Sequence, residues 1–170
     1  MYEIGDYVVS ANEGVCKVTD IVTMAMPGRR DGKKCYVIIP EGQKGGKLYI
    51  PVDSDKHQVR PIMTKEEVDT LLEEMAAIEE TWIESDKMRE QIYKEAIFSC
   101  DPRRLVSILR TMYLRGNKRA AEGKKVTTVD ERYFRIAEKN LHSELAFVLG
   151  ISMDEVMELI KKKYKQAGMI

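Results

Sequence analysis

The sequence predicts an α+β protein in two parts: a small β-domain over residues 1–62 and an all-helical domain of about five helices over residues 63–170. Three observations carry this reading. Before residue 62, short β-branched and aromatic runs alternate with turn signals; beyond it, apolar residues recur at helical spacing; and most of the proposed helices open on a recognisable capping sequence.

The strand runs are Tyr7-Val8-Val9, Val15 through Val22, Cys35 through Ile39 and Lys47 through Val52. Between them stand Asn12-Glu13-Gly14, the stretch from Pro27-Gly28 to Asp31-Gly32, and the Gly42/Gly45/Gly46 cluster, residues that supply a positive or preset φ for turns. Strands this short and this closely spaced predict a small barrel or strongly curled sheet of the SH3-like or Tudor-like kind.

The helical half is punctuated by Thr64-Lys65-Glu66-Glu67, Thr128-Val129-Asp130-Glu131 and Ser152-Met153-Asp154-Glu155, each fitting a capping box. In that motif the hydroxyl and the carboxylate satisfy backbone N–H groups that a helix start leaves free. Asp101-Pro102 adds a start with an N-cap carboxylate and proline at the first helical position. Behind these starts run the apolar faces Val68/Leu71/Leu72/Met75, Leu105/Ile108/Leu109/Met112, Leu141/Leu145/Val148 and Val156/Leu159/Ile160/Tyr164. A further helix is expected over residues 80–98.

Composition excludes whole classes of function. The 28 basic and 28 acidic residues cancel, so no overall field draws the chain to nucleic acid or to an anionic membrane. The opening Met1-Tyr2-Glu3-Ile4-Gly5-Asp6 has neither the basic nor the apolar region of a signal peptide, and no apolar run is long enough to span a bilayer. A soluble cytoplasmic protein is expected. Cys16, Cys35 and Cys100 are scattered and read as reduced, buried thiols. His57 and His142 form neither a metal pair nor a nucleophile-base arrangement, and Gly42-Gln43-Lys44-Gly45-Gly46 joins strand to strand, where a phosphate loop would need a helix to follow. The expectation is a non-enzyme with no metal and no cofactor.

Charge is segregated within the helical half. Thr64–Asp86 holds nine acids against Lys65 alone, whereas Lys87–Lys125 holds eleven bases against four acids. The basic block is a possible phosphate-binding face; the plainer alternative is two amphipathic helices with solvated bases, partly paired with the acidic block. The single tryptophan, Trp82, sits where the blocks meet. A lone indole is usually a core anchor, but on a surface beside basic helices it can stack on a base or wedge into a distorted step.

The order of these pieces resembles a known family. Gly5-Asp6-Tyr7-Val8-Val9, then Gly14 through Ile21, then Leu48-Tyr49-Ile50-Pro51-Val52 resemble the CarD-type RNA-polymerase-interacting domain, also found in transcription-repair coupling factors. Trp82, Ser99-Cys100-Asp101 at the place of a typical Ser-Gly-Asp, Leu105-Val106 with Leu114-Arg115, and Ala137 through Leu141 with Glu144-Leu145-Ala146 resemble the helical domain of CarD and CdnL proteins. Departures include Ser10-Ala11 where Tyr-Pro is common, Glu13 where histidine often precedes the glycine, and a few extra residues between Trp82 and Asp101.

The resemblance implies a transcription regulator that docks on the β-subunit of bacterial RNA polymerase and stabilises the promoter open complex by a tryptophan wedge at the upstream edge of the bubble. It places polymerase contacts at Met24, Leu48, Tyr49 and Ile50, with Met24 and Tyr49 standing where some relatives carry arginine. It places DNA contacts, largely independent of base sequence, at Trp82, Lys87, Arg89 and Arg132. A monomer is implied. The competing expectation is a protein-protein adaptor whose SH3-like and helical domains each bind a protein, with Trp82 in the core and no DNA contact.

Overall fold

A computed structural model describes residues 1–42, 46–53 and 59–170, without the side chains of Met26 and Arg29. The chain divides into two compact units, Met1–Ile62 and Met63–Ile170. The first is an antiparallel sheet and the second is helical, which makes the protein α+β.

The sheet comprises β1 (Tyr7–Ser10), β2 (Gly14–Met26), β3 (Arg29–Pro40), β4 (Leu48–Pro51) and β5 (Val59–Pro61), in the order β4-β3-β2-β1-β5. Two features differ from the sequence expectation. The stretch from Pro27 to Gly32, expected as one loop, contains only a two-residue turn at Pro27-Gly28, and the β2–β3 ladder continues through Met24↔Lys33 to Met26↔Arg29. Gly32, at φ +64°, sits inside that ladder, where a Cβ would lie 2.7 Å from Thr23 Cγ2 and 2.9 Å from the Met24 carbonyl oxygen. It marks a close backbone approach rather than a loop. The second difference is β5, a short edge strand paired to β1 through Val8↔Pro61 and Ser10↔Val59. Its proline is tolerated there because an edge strand need not donate on its outer side.

Alternation along the strands sends Val8, Cys16, Val18, Tyr36, Ile38 and Ile50 into one core. Tyr2 closes one end, its backbone N–H donating to the Tyr36 hydroxyl (3.0 Å) and its own hydroxyl donating to the Val59 carbonyl (3.0 Å). All three cysteines are free and buried. Burial, followed by the nearby Glu13 and Glu41 carboxylates, pushes the Cys16 thiol up to about 12.

The helical unit contains α1 (Lys65–Glu74), a 3-10 turn (Met75–Ala77), α2 (Asp86–Phe98), α3 (Pro102–Ala121), α4 (Thr128–Leu149) and α5 (Met153–Gln166). Complete capping boxes open α1 at Thr64/Glu67 and α5 at Ser152/Glu155, while Asp101 caps α3 through the N–H groups of Arg103 and Arg104. At α4 the cap is one residue earlier than expected: Thr127 accepts from the Asp130 N–H, and no box forms with Glu131. The Asp130 carboxylate is used elsewhere, inside the domain. The expected helix over 80–98 is also shorter, since residues 78–85 are not helical and α2 begins at Asp86. Val68, Leu71, Met75, Tyr93, Ile108, Leu141, Leu145 and Val156 lie in the common core. At the domain entry the buried Glu144 carboxylate accepts from the Met63 N–H at 2.9 Å.

Candidate nucleic-acid and protein-binding surfaces

The connector between the 3-10 turn and α2 is fastened along α3. The Thr81 N–H donates to Thr111 Oγ1 (2.8 Å), the Thr81 and Ser107 hydroxyls share a 2.7 Å hydrogen bond, and Ser107 Oγ donates to the Glu79 carbonyl at 2.7 Å. One Arg110 terminal nitrogen donates to the carbonyls of Ala76 (3.2 Å) and Ile78 (2.9 Å). These side chains satisfy backbone groups that a helix would have used, which is the physical reason residues 78–85 stay out of a helix. Ile78 and Ile83 pack against the core on either side of Trp82.

Trp82 itself is 86% exposed, so the core role that the adaptor reading gave it is not what the chain adopts. An indole held out between anchored neighbours has its full apolar area available to a partner. Its own immobilisation cost is also reduced, because the flanking backbone is already fixed.

Below the connector lies an ionic network. Asp86, the first residue of α2, accepts from Arg89 Nε (3.1 Å) and from an Arg115 terminal nitrogen (2.9 Å). Arg115 Nε donates to Asp130 (2.8 Å), a carboxylate only 2% exposed, which also accepts from the Tyr93 hydroxyl at 2.8 Å. Hydrogen bonds from Arg89 and then Arg115 hold the Asp86 carboxyl below its usual value, and burial pushes the Tyr93 hydroxyl up to about 12.

The network also engages one residue expected to contact DNA. Arg89 points inward, donating to Asp86 and to the Tyr93 hydroxyl (3.2 Å), with most of its side chain covered, so its guanidinium is engaged within the domain. Lys87 is exposed on the first turn of α2, and no ion pair is described for it among the described residues. Arg132 is exposed on α4 with its guanidinium 5.3 Å from the centre of the Tyr133 ring.

The two charge blocks partly neutralise each other. Arg103 pairs with Glu74, Arg110 lies 3.4 Å from Glu80, and Arg89 and Arg115 both hold Asp86. Much of the basic block is therefore internal wiring. Arg104, Lys118 and Lys125 are among the bases that stay exposed.

On the β-domain, Met24 and Tyr49 are exposed and Leu48 is half-buried against the core. Ile50, also expected at that surface, is only 9% exposed and belongs to the core. Successive residues of a strand point to opposite faces, so Tyr49 and Ile50 cannot both face a partner.

Sequence reasoning passed over Thr81, Ser107 and Thr111, and it named Arg115 and Asp130 only within motifs, without their ion pair. Nothing in their spacing marks them, because each acts on a residue 15 or more positions away. His142 is buried, which lowers its pKa, and His57 lies outside the described residues. Among the described residues there is no cluster of three or more side chains able to hold a metal ion, and no helix is long and apolar enough to cross a membrane.

The first unit is a small antiparallel sheet whose edge strand β4 is half-buried and partly apolar. Residues 2–63, the β-domain, match the family model described as CarD-like/TRCF RID domain, so this part of the chain is similar to that domain. No curated protein matches the chain.

Proposed function

We propose that the β-domain docks on the β-subunit of bacterial RNA polymerase and that the helical domain brings Trp82 to the upstream edge of the promoter bubble, where the indole wedges into the minor groove and opposes reannealing. The β-domain is read as an SH3-like or Tudor-like small barrel, a reading supported by the long bent β2–β3 hairpin and the two short edge strands. Met24, Leu48 and Tyr49 form the polymerase-facing surface. Lys87 and Arg132 meet phosphates without reading bases, while Arg89 positions the start of α2. The protein acts as a cytoplasmic monomer and catalyses no reaction.

The observation that carries this reading is the exposure of Trp82 on an anchored connector. Covering about 200 Å² of indole contributes about 5 kcal/mol at ordinary transfer values. Unstacking a base step costs a few kcal/mol, so the wedge alone comes close to breaking even. Docking on polymerase supplies what is missing, because tethering raises the local concentration of the helical domain at the bubble. The effect on transcription then equals the difference in affinity for open over closed complex.

The adaptor reading retains one supporting observation, the exposed acids Glu79 and Glu84 beside Trp82, which disfavour phosphate. Open-complex lifetime on purified polymerase at fixed salt separates the two. The wedge predicts a lengthened lifetime when the protein is added; polymerase binding with no change in lifetime supports the adaptor.

A further inference from the structure

Within the helical unit, α3, α4 and α5, with Met75 and the C-terminal Met169 and Ile170, line a partly open cavity of about 360 Å³. Its walls are apolar, built from Val106 and Leu109 of α3, Phe134 and Leu141 of α4, and Met157 and Ile160 of α5. The volume falls in the range of small-molecule sites, which combine apolar walls with a few convergent polar groups.

Three such groups line this one: Arg110, His142 and Tyr164. His142 is only 7% exposed, and among the described residues nothing hydrogen-bonds its imidazole or the half-buried Tyr164 hydroxyl. Arg110 spends one terminal nitrogen on the Ala76 and Ile78 carbonyls, its buried Nε lies 3.4 Å from Glu80 without a hydrogen bond, and its other terminal nitrogen makes none among the described residues. Burying a donor without an acceptor is costly, on the order of 1–3 kcal/mol, and among the described residues Arg110 Nε is the buried side-chain polar atom left in that state, with the His142 and Tyr164 donors of α4 and α5 lining the same space. Glu138 and Lys161, of opposite charge, also line it and contribute no net charge.

We propose that this cavity binds an amphipathic monocarboxylate, its aliphatic or aryl body between α3, α4 and α5 and its carboxylate against His142, Tyr164 and Arg110. A carboxylate only accepts hydrogen bonds, which is what an imidazole N–H, a phenol and a guanidinium N–H require together. Burial lowers the His142 pKa and so favours the neutral imidazole with one N–H, while the guanidinium, 3.4 Å from Glu80, supplies the positive charge. A peptide segment suits the site less well, because its backbone brings further donors to a place that already has them in surplus. The proposal is independent of the polymerase reading.

The test is titration of the full chain with dodecanoate, below its micelle-forming concentration, followed by calorimetry and by the His142 imidazole resonances in NMR. Saturable binding with a shift of those resonances is expected. Leu109→Trp, which fills the cavity from its wall, should weaken binding about tenfold or more, and dodecanol should bind about tenfold less tightly than dodecanoate. Absence of saturable binding, or binding that leaves the His142 resonances unmoved, overturns the proposal. Equal binding of dodecanol overturns the carboxylate assignment, and binding of an apolar helical peptide where dodecanoate fails gives the groove to a protein partner instead. Should Leu109→Trp fail to fold, the His142 resonances of the unmodified protein still decide.

Discussion

The backbone N–H of Thr81 donates to the hydroxyl of Thr111 at 2.8 Å, which fixes the residue before Trp82 to the middle of α3. The Thr111 hydroxyl in turn donates within its own helix, to the Ser107 carbonyl at 2.9 Å, so it is held in the orientation that accepts from the connector. The exposed indole is thus mounted on a hydrogen-bonded bracket rather than on a free loop.

Removing the bracket and removing the indole should have opposite signatures. Trp82→Ala is expected to change unfolding free energy by no more than about 0.5 kcal/mol, as for other exposed positions. Thr111→Val should cost about 1–3 kcal/mol, since it leaves the Thr81 N–H without its partner. Urea denaturation of both variants checks the pair; a large loss in Trp82→Ala would mean that the indole supports the fold.

Arg115 ties α2, α3 and α4 together through Asp86 and Asp130. Arg115→Leu strands the buried Asp130 carboxylate and should cost about 3–5 kcal/mol. Arg115→Lys should recover only part, because one ammonium lacks the fork that reaches both acids. The pH dependence has a definite sign. Asp86 titrates below its ordinary 3.8 when folded, because Arg89 and then Arg115 hydrogen-bond its charged form. Its contribution is therefore present above 3.8 and is lost as pH falls through the depressed folded value. Acid unfolding followed by circular dichroism should show this loss in the parent protein and a smaller one in Arg115→Leu.

Neighbouring substitutions on β4 should separate surface from core. Tyr49 is 47% exposed, and Tyr49→Lys should weaken polymerase pull-down while leaving thermal unfolding nearly unchanged. Ile50→Ala should cost about 2–5 kcal/mol of β-domain stability, the usual range for a truncated core side chain. Unchanged pull-down by Tyr49→Lys would remove this strand from the interface.

The buried thiols should resist alkylation. Native protein treated with iodoacetamide near pH 8 should react slowly at Cys16, Cys35 and Cys100, and quickly once unfolded. Cys16 also fixes a sign: its folded value is raised from 9.0 to about 12, so burial favours the neutral thiol. Stability from this group is complete below pH 9.0 and declines as pH rises from there toward 12, where the unfolded chain already carries the thiolate.

Local rules were legible in the sequence wherever neighbours along the chain decide the outcome. The caps at Thr64, Asp101 and Ser152 follow from side chains reaching the next turn, and the strand cores follow from alternation. Cys100, standing where the similar family has glycine, is a further case: it is the single non-glycine residue with positive φ among the described residues, at 55°, and it follows the Ser99 cap of α2. A glycine is the residue such a helix-ending position favours.

Long-range contacts were not legible. Residues 80–85 look helical by composition until Ser107, Arg110 and Thr111 capture their neighbourhood from α3, and Asp130 looks like a first-turn acid until Arg115 and Tyr93 draw it inward. β5 is three residues long and contains a proline, too little pattern to announce a strand without β1 beside it. Arg89 and Ile50, expected at contact surfaces, are engaged within their own domains for one common reason. A motif position fixes where a residue falls in the chain, whereas the pleat and the ionic network decide which way its side chain points.

The most direct test of the wedge is the dissociation rate of a preformed promoter open complex, measured at fixed salt with no addition, with this protein, and with its Trp82→Ala variant bound to polymerase to the same extent. The wedge predicts that the protein slows dissociation and that Trp82→Ala returns the rate to that of polymerase alone. An equal slowing by the variant would contradict it.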